Sequence, residues 1–408
     1  MKINYRNIKI SSLMLILLSL IFIYASSTYL RSYYSFYIAV ASYVGFYLIS
    51  VCLGQKWRPG NTCIWALLAL LACPLYAIYG KIDMLTTYLS GVIYLLFWHS
   101  AFIYLADNYE KKAIRRFIII NLCILVFNIV STIKVLEMYP LAARAINGLA
   151  EGITEADIEV YTSMGCGSFG FIYGTVFLSL GIAAAFRAQN TTLKTKIFMI
   201  ALFILVFNMI LAAEFTTALL LTFTMLLFSL VMNSKNLTTN IVIVGIICLI
   251  IAVFNEQIIE WIRTLAATFN IEYLENKMDM IISASSNESL ESLSRSKRYM
   301  ESLHGFAQNP FFGIGKSGEH SQILDTFSAV GFFAIPYVMM LFSIFKNMRK
   351  YIDNKYSFIF ATGVIILATL NPFVDPTIIS LSFMLAPTVL YAFVPKLNTT
   401  HQTANNNH

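Results

Sequence analysis

Charged residues are scarce in this chain. Asp, Glu, Lys and Arg together make up 12% of the 408 residues, whereas hydrophobic residues make up 58%. A soluble globular domain carries about 25% charged residues. The composition therefore excludes an ordinary soluble protein and favours one that is embedded in a membrane.

Cysteine is also scarce, and its spacing carries no signature. The six cysteines form no Cys-x-x-Cys pair, and none has histidine partners at the spacing of a metal site. The predicted outer loops contain no Asp-x-Asp motif either. We therefore expect no disulfide, no metal site and no cofactor.

Nucleotide-binding motifs and internal repeats are missing as well. The stretch Gly313–Gly318 matches G-x-G-x-x-G, but it follows a predicted helix and Pro310 rather than a strand, and Pro310 stands where a P-loop requires glycine. The glycines instead predict a tight turn whose N–H groups can bind an anion; a plain turn at the entrance of a span explains them equally well. Without a repeat or a matched pair of broken spans, a secondary transporter is disfavoured.

What the chain does have is a succession of long apolar runs. A helix crosses the hydrocarbon core in about 17–25 residues, and runs of this kind recur from end to end. They predict an all-α, polytopic membrane helix bundle of about twelve transmembrane helices. The predicted spans are roughly 10–30, 33–53, 62–80, 84–105, 117–137, 166–186, 197–213, 215–232, 240–256, 322–345, 357–371 and 377–394.

Lysine and arginine are concentrated in alternate connections. If the N-terminus is cytoplasmic, 18 of the 28 basic residues lie inside; of the other ten, six belong to one long loop and four to short outer loops. The positive-inside rule then places both termini in the cytoplasm. The net charge of +7 needs no nucleic acid, because anionic inner-leaflet lipid favours this bias.

Four regions follow from this topology. Residues 1–256 hold spans one to nine, with an acidic outer segment at about 138–165 that we expect to form a short helix. Residues 257–320 form a large external loop, residues 321–396 hold spans ten to twelve, and residues 397–408 form a polar cytoplasmic tail. Within the loop we expect an interfacial helix over 257–282, a flexible serine-rich stretch, and an amphipathic helix over 295–308 that Ser294 caps and Asn309-Pro310 ends.

Ionisable residues gather at the end of this loop. Arg295 and Arg298 lie one helical turn apart, Lys316 sits in the glycine turn, and His320 precedes Asp325 at the start of a span. An acid at membrane depth is costly and is a functional hypothesis by default. The alternatives are a lipid-headgroup anchor for Arg295, a solvated helix face for Arg298 and a helix cap for His320. Glu214 and Asp375 are further acids at outer ends of spans, where they serve a substrate or hold helices together.

The order of these motifs resembles a known family. Ser294-Arg295, then Pro-Phe-Phe-Gly-Ile-Gly from Pro310, then His320-Ser321 with Gly331 beyond it, is similar to the signature of the O-antigen polymerase and O-antigen ligase superfamily of membrane glycosyltransferases. Asp325, in His-Ser-x-x-x-Asp, resembles the polymerase (Wzy-type) branch. There is one departure: the family often carries a Ser-Arg pair where spans seven and eight meet, and residues 213–220 here contain Glu214 and no arginine.

The resemblance implies transfer of a growing glycan from undecaprenyl diphosphate to a hydroxyl of the next lipid-linked repeat unit, on the outer face of a bacterial inner membrane. Fixed cations would meet the departing diphosphate, and a histidine would accept the hydroxyl proton. It implies that His320 and Asp325 are catalytic, and that Arg295, Arg298, Gly313, Gly315 and Lys316 bind the diphosphate or the glycan. Glu214, an acid at the outer end of a span, is a further candidate for binding the substrate. The resemblance also implies lipids, a chain-length regulator and a flippase as partners.

Two other functions stay open on the sequence. An O-antigen ligase would move finished polysaccharide onto lipid A–core, and a lipid-linked sugar flippase would move the repeat unit across the membrane. The absent repeat and the large loop with clustered arginine and histidine speak against the flippase.

Overall fold

A computed structural model describes residues 5–146, 153–189, 191–233, 237–253, 255–268, 275–276, 278–279, 290–318 and 320–396. Every regular element in these ranges is a helix, so the predicted all-α class is confirmed for the described part. The predicted tail 397–408 and most of the serine-rich stretch lie outside the described residues.

Nineteen α-helices lie in the described ranges, with three short 3-10 segments (Arg31–Tyr33, Leu70–Ala72 and Gly331–Ala334) and one π segment (Leu381–Leu385). The α-helices are α1 Tyr5–Ser26, α2 Phe36–Cys52, α3 Asn61–Ala69, α4 Cys73–Ile78, α5 Ile82–Asn108, α6 Lys111–Met138, α7 Ala142–Ala145, α8 Glu155–Ser163, α9 Phe169–Arg187, α10 Leu193–Ala212, α11 Thr216–Val231, α12 Leu237–Val253, α13 Asn255–Thr268, α14 Leu290–Gln308, α15 Gln322–Val330, α16 Ile335–Met348, α17 Asn354–Leu370, α18 Pro376–Ser380 and α19 Ala386–Phe393.

Seven helical segments of the described chain are long and apolar enough to cross a membrane, and five shorter apolar helices of 10–17 residues accompany them. Each predicted span overlaps one of these segments. The coarse prediction of a helical membrane bundle is thereby supported. The seven long segments are Asn61–Ile78, Ile82–Asn108, Lys111–Met138, Phe169–Arg187, Leu193–Ala212, Gln322–Met348 and Pro376–Phe393.

The centre of the bundle is formed by α9 and the last apolar segment. Each is 89% buried over its most apolar window, compared with 28% for α10. Glycines let the two approach closely: a Cβ on Gly174 would lie 2.6 Å from Leu381 Cδ1, and one on Gly181 would lie 3.2 Å from the carbonyl oxygen of Ala386. Small residues at such crossings are typical of membrane helix packing.

The predicted span 322–345 lies within the candidate membrane segment Gln322–Met348, which is interrupted near its middle. α15 ends at Val330, a 3-10 segment begins at Gly331, and α16 resumes at Ile335. The broken ladder is repaired by the preceding loop, because the carbonyls of Ser328 and Ala329 accept hydrogen bonds from the N–H groups of Ile314 (2.9 Å) and Gly315 (3.1 Å). A continuous apolar run cannot reveal such a break.

The connections predicted to be external meet one another at one end of the bundle. Tyr79 Oη, beyond α4, donates to the carbonyl of Gly313 at 3.0 Å, and the N–H of Gln322 donates to the carbonyl of Asn371 at 3.3 Å. The connections predicted to be internal meet elsewhere: Lys396 Nζ, for example, donates to the carbonyl of Arg349 at 2.6 Å. The two sets of connections do not mix in these contacts.

Candidate functional site

The loop before α15 begins where α14 ends. α14 stops at Gln308, as the Asn309-Pro310 pair predicts, but it begins at Leu290. Ser294 therefore lies inside the helix and is not its N-cap, which corrects the expectation. Asn309 then starts a turn: its carbonyl accepts from the N–H of Gly313 at 2.8 Å, and its side chain accepts from the N–H of Phe312 at 3.3 Å.

Gly313 and Gly315 form the tight turn that the sequence predicts. Both have positive φ, 72° and 64°, and a Cβ on Gly313 would overlap the backbone of Ala329. Their N–H groups donate to the carbonyls of Asn309 and Ala329. In this conformation the two N–H groups donate within the protein, which contradicts the expectation that they bind an anion. Lys316, which follows them, is exposed.

Asp325 organises the turn that leads into α15. Its Oδ1 accepts from Ser302 Oγ at 2.5 Å and from the N–H of Gly318 at 3.1 Å. Its Oδ2 accepts from the N–H groups of His320 and Ser321, at 2.9 and 3.0 Å. One carboxylate thus joins α14, the turn and α15, and the contact to His320 is made through the backbone N–H. Asp325 is therefore a residue that positions the histidine.

His320 is half-buried at the rim of this turn. Its ring centroid lies 6.4 Å from that of Tyr299 on α14, and Tyr299 Oη donates to the carbonyl of Leu370 at 2.9 Å. The helix-cap alternative for His320 is taken by its neighbour, because Ser321 Oγ accepts from the N–H of Leu324 at 3.1 Å. The histidine is held beside an aromatic ring and not used as a cap.

The two predicted arginines lie on α14. The side chain of Arg295 lies outside the described residues, so only its place in the helix is given. Arg298 is exposed, and its carbonyl lies so close to Gly318 that a Cβ there would overlap it. The turn of helix around Arg298 therefore packs against the turn before His320, with Lys316 exposed on the same loop.

Glu214 lies at the junction of α10 and α11, at some distance along the chain from this loop. It is the one described non-glycine residue with positive φ, 57°. Arg144, from α7, donates to its carbonyl at 2.7 Å and places its guanidinium 5.6 Å from the centroid of the Phe215 ring. Burial raises the pKa of the Glu214 carboxyl, and the nearby Arg144 charge opposes that shift. An arginine therefore does reach the junction, although it comes from another segment.

Successive contacts connect the His320 turn with the last span. The first residue of α15, Gln322, donates its N–H to the carbonyl of Asn371, and its Oε1 accepts from the N–H of Phe373 at 3.5 Å. The N–H of Asp375 in turn donates to the carbonyl of Phe373 at 2.9 Å. The connection after α17 is thus tied to the start of α15.

The same connection continues to the Glu214 junction. A Cβ on Gly170 would overlap the carboxyl of Asp375, so this carboxyl packs directly on α9. One residue earlier, the ring of Phe169 lies 5.7 Å from that of Phe215, which is the ring beneath Arg144. A chain of contacts therefore connects the His320 turn, Asp375 and the Glu214 junction at this end of the bundle.

Sequence reasoning missed Ser302, Tyr79 and Arg144. Ser302 and Gly305 stand three apart on α14 and face α15: Ser302 contacts Asp325, and a Cβ on Gly305 would overlap Ser328. That pair of small residues is the available signal. For Arg144 there was none, because its partner is seventy positions away in sequence.

Among the described residues, no three His, Cys, Asp or Glu side chains come together in a way that could hold a metal ion. Comparison of the chain with known protein families, with curated proteins and with solved structures finds no match.

Proposed function

We propose that this chain is a polysaccharide repeat-unit polymerase. It transfers a growing glycan from undecaprenyl diphosphate to the next lipid-linked repeat unit, on the outer face of a bacterial inner membrane. The observation that carries the proposal is the turn before α15, where one carboxylate fixes four donors and holds His320 at the rim, with Arg298 and Lys316 exposed on the adjoining segments.

We further propose that the chain crosses the membrane twelve times, with both termini in the cytoplasm. The five shorter apolar helices then cross the membrane together with the seven long ones. A reporter fused near Ser289 should be active only outside the cytoplasm, and one fused near Arg349 only inside. The reverse pattern would contradict the proposed orientation and place the site on the wrong side.

In the proposed reaction the acceptor hydroxyl attacks the anomeric carbon of the growing chain. The bond from that carbon to the diphosphate oxygen breaks, and undecaprenyl diphosphate leaves with the bonding electrons. His320 accepts the hydroxyl proton, for which histidine is suited near neutral pH. Asp325 and Ser302 keep the backbone of that turn in place.

The departing diphosphate needs fixed positive charge. Arg295, Arg298 and Lys316 supply it in the proposal from the large loop, and Arg144 supplies the second cation at the α10–α11 junction, where the resembling family carries its own arginine.

The first experiment is a deletion strain complemented with variants. Loss of a polymerase leaves lipopolysaccharide capped with a single repeat unit, loss of a ligase leaves bare core, and loss of a flippase traps intermediates inside. We expect the single-repeat pattern. If the deletion strain shows bare core, the protein is a ligase and not a polymerase. If it shows intermediates trapped inside the cell, the protein is a flippase.

The second experiment concerns the cations. Arg144→Ala and Arg295→Ala should each abolish long chains while the protein still inserts, and the lysine variants should rescue them weakly, because bidentate geometry is lost. Lys194→Ala, on an exposed residue of the opposite end, is the control. Normal chains with Arg144→Ala would remove Arg144 from the diphosphate site.

A further inference from the structure

A cavity of about 200 Å³ opens at the same end of the bundle, beside the connection that leads to α18. Eleven residues line it, from the end of α1, the segment after it, the start of α9 and the start of α18. Asp375 lies on its wall and is separated by one residue from Phe373, which bonds to Gln322. The segment that carries Asp375 is therefore hydrogen-bonded to Gln322, two residues after His320.

The lining has a distinct chemistry. Eight of the eleven residues carry a hydroxyl or a carboxylate, and none is Lys, Arg or His. The rings of Tyr24 and Tyr34 stack at a centroid distance of 4.8 Å on one side, and Phe171 contributes a third ring. Such a lining offers no positive charge to a diphosphate. It suits a neutral ligand rich in hydroxyls, with C–H faces for the aromatic rings and hydroxyl donors for the carboxylate.

The walls of the cavity are held by polar residues of α6. Asn128 Oδ1 accepts from the hydroxyl of Thr28 at 3.2 Å. Thr132 Oγ1 accepts from the N–H of Gly167 at 2.8 Å, next to the lining residue Ser168. Asn128 and Thr132 are both buried. Polar side chains buried within a membrane helix are costly, and here they hold two parts of the lining in place.

The carboxyl of Asp375 is also held in place, by hydrogen bonds and by close packing. Its Oδ1 caps α18 by accepting from the N–H groups of Thr377 (2.7 Å) and Ile378 (3.3 Å). The carboxyl packs on Gly170 where no Cβ would fit. A rigid carboxylate beside aromatic rings fixes the orientation of a bound ligand.

We infer that this cavity is a subsite for one monosaccharide ring, with Asp375 accepting hydrogen bonds from ring hydroxyls and the tyrosine rings covering a C–H face. Because it rests on the proposed function, the sugar is assigned to the acceptor repeat unit, whose attacking hydroxyl must reach His320. The cavity has room for one ring, so it would select the terminal or attacking sugar of the acceptor.

The test uses the full chain in lipid nanodiscs and saturation-transfer NMR with methyl glycosides of glucose, galactose, N-acetylglucosamine and rhamnose. At least one should receive saturation from the wild type. Asp375→Asn should weaken that binding on the order of tenfold while the helix remains capped, because asparagine is as good an N-cap as aspartate. Gly170→Ala should weaken it as well, by displacing the carboxyl. Gly45→Ala, where a Cβ meets nothing within 4 Å, is the matched control and should bind as the wild type does.

Absence of saturation for every glycoside would overturn the subsite, and so would equal saturation in the wild type, Asp375→Asn and Gly170→Ala. Sodium-23 line broadening that depends on Asp375, without any glycoside signal, would assign the cavity to a cation instead. His320→Ala separates the two proposals: it should keep glycoside binding. Asp375-dependent binding in a protein whose deletion leaves glycan chains normal would retain the subsite and refute the polymerase. Polymerase activity without Asp375-dependent glycoside binding would support the polymerase and refute the subsite.

Discussion

Asp325→Asn is the substitution that most directly probes how the His320 turn is held. Asparagine keeps the size of the side chain but has one acceptor oxygen in place of two. The Asp325 carboxylate accepts four hydrogen bonds, from the hydroxyl of Ser302 and from the N–H groups of Gly318, His320 and Ser321. In the variant the amide NH₂ would face two of these donors and could accept from neither.

The magnitude follows from the bonds lost. A hydrogen bond to a charged group contributes about 1.5–3 kcal/mol, so losing two weakens the turn by roughly 3–6 kcal/mol at most. A difference of about 1.4 kcal/mol changes an equilibrium tenfold. The state in which the turn has locally opened and its N–H groups exchange with solvent therefore becomes on the order of 10²–10⁴ times more populated. Ser302→Ala removes one donor and should cost about one such bond.

Hydrogen exchange of the segment 316–321 is the assay, read together with polymer formation. Asp325→Asn should speed exchange there far more than Ser302→Ala, and polymer formation should fall in the same order. Ser42→Ala, which removes an exposed hydroxyl that donates to the carbonyl of Ile38, is the control. Unchanged exchange in Asp325→Asn would refute the positioning role of this carboxylate.

Two further predictions concern stability. Gly313→Ala should lower the unfolding temperature more than Gly54→Ala: both have positive φ, which costs roughly 1–2 kcal/mol for alanine, but only the Cβ at 313 overlaps other atoms. Equal shifts would contradict the close packing of that turn on Ala329. For Glu214, burial raises the carboxyl pKa, so the ionised form costs stability as the pH rises through the folded-state pKa. Glu214→Gln should therefore raise the unfolding temperature relative to the wild type at about pH 8, and the gain should fade towards about pH 4; a gain that does not change with pH would contradict the burial argument.

The all-helical class and the positions of the long apolar helices could be predicted from the sequence, because apolar runs report membrane length directly. The predicted run 84–105 lies within α5, 117–137 within α6 and 377–394 over the last segment. The break at Gly331 was not predicted, since the residues around it are apolar on both sides. Gly331 ends α15 with a positive φ of 60°, and the N–H of Phe332 next to it donates to the carbonyl of Pro310.

The candidate site was predicted less completely. The motif order brought out His320 and Asp325, and the structure places them in one turn. The motif order did not reveal that Asp325 accepts hydrogen bonds from backbone N–H groups. Nor did it reveal that the N–H groups of Gly313 and Gly315 donate to the carbonyls of Asn309 and Ala329. Arg144 could not be found from the sequence, because its partner Glu214 is seventy residues away and only the packing of α7 brings the two together.

The most direct test of the account is the rate of polymer formation by the purified protein in nanodiscs, supplied with synthetic undecaprenyl-diphosphate-linked repeat units. The wild type should form polymer without added nucleotide sugar. His320→Ala should lose on the order of 10²–10⁴-fold in rate, the usual worth of a positioned general base, while donor binding hardly changes. If His320→Ala forms polymer at the wild-type rate, or if the wild type forms none, the central claim is wrong.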